Sequence, residues 1–168
     1  MGFCTTVDEN INETNTLTND IRAKLKGDYL VSKPGLAIGS TKPNVSNAAF
    51  FFTLAGVQYE KAAVAAGTAL AGDDIPTGKF GAWRLEIGAN GTVDIVAASD
   101  NVTGYDSAVL AVAGLPVLSA DHAEMGYVTA SDSVADFVPG TTDLDAANTT
   151  VAYTDGETNL EAIGAAVG

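Results

Sequence analysis

Residues 79–98 read KFGAWRLEIGANGTVDIVAA, and this stretch decides the fold class. Because side chains alternate between the two faces of a strand, residues 79–87 divide into two sets. One face receives Gly81, Trp83, Leu85 and Ile87, and the other receives Phe80, Ala82, Arg84 and Glu86. The Asn90-Gly91 pair that follows is a strong signal for a tight hairpin turn. The sequence therefore predicts an antiparallel hairpin with strands at 79–87 and 92–98.

Short strand-like runs surround this hairpin on both sides. Four further strands are predicted at 48–54, 57–64, 124–130 and 149–154. The regular alternation of strand and helix that builds a parallel sheet is missing from this order. We therefore expect a mainly β protein, either an antiparallel β-sandwich or a small barrel. An N-terminal helix or arm and one or two short helices would decorate it.

Turns and short helices are predicted between and beyond the strands. Residues 65–78 are rich in turn-forming residue types. Residues 106–113 have the pattern of a short helix, with Asp106 or Ser107 as its N-cap. Residues 157–168 are predicted as a C-terminal tail, rich in Gly and Ala.

The first 47 residues are predicted to form a docking segment separate from the β domain. Residues 11–26 have helical periodicity, and residues 27–47 read as a connector with turn signals. The apolar stripe of this helix spans an arc of roughly 120° and consists of Ile11, Leu17, Ile21 and Leu25. So short a helix is marginal alone, and it must pack on its own domain, on copies of itself or on a larger partner. We assign the four stripe residues as partner-docking residues and divide the chain into 1–47, a β domain at 48–156 and the tail.

The charge of the chain is unevenly distributed. Eight Lys and Arg stand against 21 Asp and Glu, a net charge of −13. All eight basic residues lie within residues 1–84, which are neutral overall, whereas residues 85–168 hold 13 acids and no Lys or Arg. Nucleic-acid binding as the main role is disfavoured, because such a surface repels phosphates. The split suggests a neutral half that docks and an acidic half that faces water; adaptation to salt or simple solubility is the alternative.

The residue types that most enzymes and metal sites require are scarce. Cys4 is the sole cysteine, so an internal disulfide is excluded, and His122 is the sole histidine. We expect His122 to lie in a loop that precedes a strand. The sequence around it contains no motif typical of a catalytic nucleophile. One His and one Cys disfavour zinc, and the acidic pairs in the loops do not match the EF-hand pattern. We expect no catalytic residues, no cofactor and no bound metal, and neither a secretory signal nor a membrane span.

Four phrases occur in order from Phe50 onward. They are FFTLAGVQYEKAA, GKFGAWRLEIGANGTVDIV, AVAGLPVLSADHAEMGYVTA and FVPGTTDLDAANTTVAYTDG. In this order the chain resembles small virion structural proteins encoded by tailed bacteriophages, over about residues 50–156. The resemblance implies a role in the phage particle and carries no catalytic residues with it.

Together, the resemblance and the charge split predict a non-enzymatic capsid decoration or head-fibre protein on the outer surface of the virion. Its partner would be the major capsid protein or another virion shell protein, with no nucleic acid and no membrane involved. It would be a homo-oligomer, and a trimer would let three thin helix stripes meet around one axis.

Two other functions are compatible with the same residues. One is an adhesive or carbohydrate-binding β module of a phage tail or a cell surface. Such a site would use exposed aromatic side chains, and the candidates are Tyr59, Tyr105, Tyr127 and Tyr153. The other is a small hydrolase, which the lack of a recognisable nucleophile disfavours.

Overall fold

The computed structural model describes residues 27–158, which contain ten strands and one helix. The strands are β1 (Tyr29–Leu30), β2 (Ala37–Ile38), β3 (Asn44–Asn47), β4 (Phe50–Leu54), β5 (Val57–Lys61), β6 (Val64–Ala69), β7 (Gly81–Gly88), β8 (Val93–Ala97), β9 (His122–Asp132) and β10 (Thr149–Asp155). The helix is α1 (Ala108–Ala113). All strand pairs within the sheets are antiparallel, so the prediction of a mainly β, antiparallel fold is confirmed.

The largest sheet has four strands in the order β10-β9-β7-β8. Its β7–β8 pair is the predicted hairpin, in which Trp83 lies opposite Ala97 and Leu85 lies opposite Ile95. Gly91 in the connecting turn has φ +74°, a left-handed conformation that glycine adopts without steric cost. The hairpin prediction is therefore confirmed, with both strands within one or two residues of the expected ends.

Two three-stranded sheets, with orders β1-β4-β5 and β2-β3-β6, complete a β-sandwich-like arrangement. The main hydrophobic core joins side chains from all three sheets, including Phe52 of β4, Val45 of β3 and Leu85 of β7. Trp83 lies at its centre, fully buried, with its ring 5.6 Å from the ring of Phe137. Apolar burial of this kind is the main stabilising contribution in a domain of this size.

A β-bulge in β9 allows side chains on both sides of it to point into the core. The register between β7 and β9 shifts between Leu85 and Glu86. Both Val128 and Met125 are fully buried in the core, although they are three positions apart and a regular strand would send them to opposite faces. Gly126 lies at this bulge with φ +138°.

Several predictions about local structure need correction. Residues 27–47 are not a bare connector: they contain β1, β2 and β3, and they bury Leu30, Leu36 and Val45 in the core. Their Pro and Gly residues mark short turns within the domain, and the intervening apolar residues pack inward. Residues 65–69 belong to strand β6 and were wrongly predicted as turn, because Ala and Gly carry little strand signal.

The short helix is confirmed, with Ser107 as its N-cap. The Ser107 hydroxyl accepts a hydrogen bond from the Leu110 N–H at 3.3 Å, and the helix ends at Gly114. Ala111 of the helix packs on Ala82 of β7 and on Ala98, which directly follows β8. This helix is far too short to cross a lipid bilayer, and residues 27–158 contain no helix that could do so.

Candidate functional site

The face of the four-stranded sheet that points away from the main core carries the polar groups of interest. We call it the outer face. Arg84 and Glu86 lie on it, because they alternate along β7 with Trp83 and Leu85, which are core residues. Helix α1 and the segment 114–121 cover part of this face. The division of β7 into two sets of side chains follows the prediction from the sequence.

A buried ion pair lies at the centre of the outer face. The Arg84 Nε donates a hydrogen bond to the Glu86 Oε1 at 2.7 Å, and the two side chains are 8% and 0% exposed. The second carboxylate oxygen of Glu86 accepts a hydrogen bond from the Ser119 N–H at 3.2 Å. Glu86 therefore ties the segment after α1 to the sheet. The Arg84 Nη2 is buried and has no hydrogen-bond partner among the described residues.

Glu124 lies directly opposite Glu86 in the β7–β9 pairing. Burial raises the pKa of its carboxyl group above 4.5, and the negative charges of Glu86 and Glu157 act in the same direction. The positive charge of Arg84 opposes this rise. One arginine thus neutralises only part of the negative charge that three carboxylates place around it.

His122 is the first residue of β9, so its predicted position in a loop is wrong. Its Nδ1 lies 2.7 Å from the Ala120 carbonyl oxygen, and its Nε2 lies 3.0 Å from the Asp94 Oδ2. Both partners accept hydrogen bonds, so the geometry favours the imidazolium form, in which both ring nitrogens donate. The Ala120 hydrogen bond is the largest cause that raises the His122 pKa above 6.5, followed by Asp94. A histidine held in this way is unsuited to act as a general base.

Two grooves open on the outer face and share Tyr127 and Thr154. The larger has a volume of about 480 Å³ and is lined by Asp28, Tyr29, Leu30, Leu118, Glu124, Tyr127, Thr154, Asp155, Gly156 and Glu157. With four carboxylates in its wall, it suits cationic or hydroxyl-bearing ligands better than anions. Residues 27–158 contain no cluster of three or more His, Cys, Asp or Glu residues arranged to hold a metal ion.

The smaller groove has a volume of about 280 Å³ and runs beside α1. Its lining contains no charged residue and consists of Ala108, Val109, Val112, Tyr127, Thr129, Ala152 and Thr154. The adjoining residues 107–120 are also free of charge. Nine large apolar side chains are exposed among the described residues, and four of them lie in this segment. The outer face therefore combines a buried charged centre, an acidic groove and an uncharged, apolar margin.

The docking residues predicted from the sequence, Ile11, Leu17, Ile21 and Leu25, lie outside the described residues. So do the predicted helix at 11–26 and most of the predicted tail. The sequence analysis did not identify the buried Arg84–Glu86 pair or the uncharged residues 107–120 as parts of a site. Residues 107–120 contain no charged residue, but residues 43–59 do not either, so the absence of charge alone does not single out the segment.

The four candidate tyrosines do not share one surface. Tyr59 and Tyr153 pack against the main core, and the Tyr59 ring stacks on Phe52 at 5.4 Å. Tyr105 packs on the small apolar cluster beneath α1. Only Tyr127, of these four, lines both grooves.

The chain matches no protein-family model, and comparison with curated proteins and with solved structures yields no match.

Proposed function

We propose that this protein is a non-enzymatic virion structural protein that decorates the capsid of a tailed bacteriophage or projects from it. It docks on the major capsid protein or another shell protein through its N-terminal segment. Its acidic β domain faces the solvent on the outer surface of the particle, and several copies associate, with a trimer as the working stoichiometry. The first support is the ordered series of phrases that resembles small phage virion proteins.

The observation that carries the docking arrangement is the position of the two ends of the described chain. Leu30 and Thr158 form a parallel β-bridge, so the two ends of the described chain lie next to each other. A protein tethered through one end leaves the remainder of its surface free to project.

The charge of the β domain agrees with exposure to water. Residues 27–158 contain five Lys and Arg against 16 Asp and Glu, a net charge of −11. A high charge of one sign keeps neighbouring domains apart and soluble when many copies are held on one shell. Strands β1, β2 and β3 are integral to the domain, so we limit the proposed docking segment to residues 1–26.

The experiment compares particle binding by the full chain and by a chain that lacks residues 1–26. We expect the full chain to sediment with capsids and the truncated chain to remain in the supernatant. A matched control replaces Asp73 and Asp74, which are exposed, by Asn; we expect it to bind normally. Full occupancy by the truncated chain, with an unchanged thermal transition, would show that the docking assignment is wrong.

One observation favours an adhesive or carbohydrate-binding role as the second candidate. Two tyrosines, Tyr29 and Tyr127, line the larger groove together with carboxylates, and sugars bind to this combination of aromatic faces and hydrogen-bond acceptors. A glycan array tests this function. A specific signal that Tyr127→Ala abolishes would support it, and the absence of any signal for the full chain would count against it.

A further inference from the structure

The uncharged margin of the outer face has the properties of a contact surface. We define the uncharged patch as the exposed apolar side chains Val109, Leu110, Val117 and Leu118 together with the smaller groove beside α1. Val109 is 78% exposed and Val117 is 91% exposed. Contiguous exposed apolar surface on a soluble domain commonly marks an interaction site.

The patch borders both grooves. Val109 forms part of α1 and lines the smaller groove, whereas Leu118 lines the larger groove. The two grooves meet at Tyr127 and Thr154, so Val109 and Leu118 border one connected surface. A partner that covers the patch would therefore contact the helix and the groove floor together.

Charge indicates which partner fits this surface. The described domain has a net charge of −11, so two copies repel each other wherever acidic surfaces approach within a screening length of about 8 Å. The patch avoids this repulsion, because neither residues 107–120 nor the lining of the smaller groove contains a charge. A second copy brings an equally neutral surface. A strongly basic partner would gain more from the acidic remainder of the domain.

Shape supports the same partner. The exposed side chains of Val109 and Leu110 make α1 an apolar ridge, and the smaller groove, whose lining includes Ala152, lies beside it. A ridge and a groove next to each other on one face are self-complementary, because the ridge of one copy enters the groove of the next while its own groove remains available. The small side chains of Ala152 and Thr154 leave the floor open to an incoming valine or leucine.

We propose that the uncharged patch is the surface through which copies of this chain associate, with α1 of one copy seated in the groove between α1 and β10 of its neighbour. The inference concerns the isolated protein and does not depend on the virion role. Removing Val109 and Leu110 from water in each copy supplies the free energy of association. Identical contacts in a closed ring or about a two-fold axis would bury every copy's patch equally.

The test measures the mass of the full chain in solution by light scattering and sedimentation over a range of concentrations. We expect wild type to exceed the 17.0 kDa of one chain. Val109→Glu places a charge on the ridge, and Ala152→Glu places one in the groove. We expect each variant to weaken association at least tenfold, because a carboxylate would be buried against apolar surface. Both residues are exposed in the single chain, so neither change should disturb folding.

The matched control is Val134→Glu, which introduces the same charge at a valine that is 67% exposed outside the patch. We expect it to associate as wild type does. A wild-type protein that stays monomeric, or two patch variants that keep the wild-type mass, would overturn the inference. Patch variants that keep their mass but lose binding to capsids would overturn it as well, since the patch would then face the shell.

Discussion

The Nε of Arg84 lies 2.7 Å from the Oε1 of Glu86, and both side chains are almost completely removed from water, although they are only two positions apart on one strand. The pair lies beneath the segment that follows α1, and Glu86 also accepts a hydrogen bond from Ser119. A buried ion pair contributes little net stability compared with apolar residues of similar size. The loss of one partner, however, leaves the other charge buried without a counter-ion. The two residues therefore behave as one unit.

We first predict strong non-additivity within this pair. Arg84→Met alone should lower the free energy of unfolding by about 3–5 kcal/mol, because the Glu86 carboxylate would be left buried without its counter-ion. The double variant Arg84→Met with Glu86→Leu should be more stable than the single variant. Urea denaturation of wild type, both single variants and the double variant measures the coupling. Additive losses would mean that the two charges are stabilised independently.

The second prediction concerns the pH dependence that Glu124 causes. Because its folded-state pKa is raised above 4.5, the folded protein holds this proton more tightly than the unfolded chain does. The resulting stability is present at low pH and is lost as the pH rises from 4.5 through the folded-state pKa. Glu124→Gln should therefore gain stability relative to wild type as the pH rises from 4 to 7. Thermal unfolding across that range measures it, and a constant difference would contradict the burial argument.

The third prediction concerns the sole histidine of the chain. The Ala120 carbonyl and the Asp94 carboxylate hold the pKa of His122 above 6.5. The corresponding stability is fully present below pH 6.5 and is lost as the pH rises through the folded-state pKa. NMR titration of the imidazole should show the raised pKa directly. Asp94→Asn should lower it but leave part of the rise, since the Ala120 hydrogen bond contributes most; an unchanged pKa would show that Asp94 plays no part.

The fourth prediction tests the bulge in β9. Gly126 has φ +138°, and a Cβ atom at this position would collide with the backbone carbonyl of Thr154. Gly126→Ala should therefore lower the free energy of unfolding by at least about 2 kcal/mol. Gly91→Ala is the matched control, because Gly91 also has a positive φ but has open space around its Cβ position. Equal losses in the two variants would show that the close approach to β10 carries no cost.

Much of the fold could be predicted because the relevant signals are local. The hairpin followed from the alternation around Trp83 and from the Asn90-Gly91 turn, and the helix followed from Ser107 and the small apolar residues after it. The strands of residues 27–47 were missed because their segments are only two to four residues long. Such short runs gain their stability from neighbouring strands, which a single stretch of sequence does not reveal.

The sites were harder to predict than the strands. Arg84 and Glu86 could be assigned to one face of β7, but their burial depends on residues 114–121 folding over them, which is a long-range contact. The uncharged run at 107–120 was visible in the sequence. Its exposure was not, because an apolar helix of six residues packs inward or faces water according to what lies above it.

The sequence by itself determined the antiparallel β class, the central hairpin, the short helix and the net charge of −13, since each depends on residue type and on spacing of a few positions. Tertiary structure alone decided that Met125 joins Val128 in the core, that Glu124 faces Glu86, and that Val109 is left exposed beside a groove. The physical reason is that a one-residue shift at the bulge of β9 redirects every side chain beyond it, and only the pairing with β7 sets that shift.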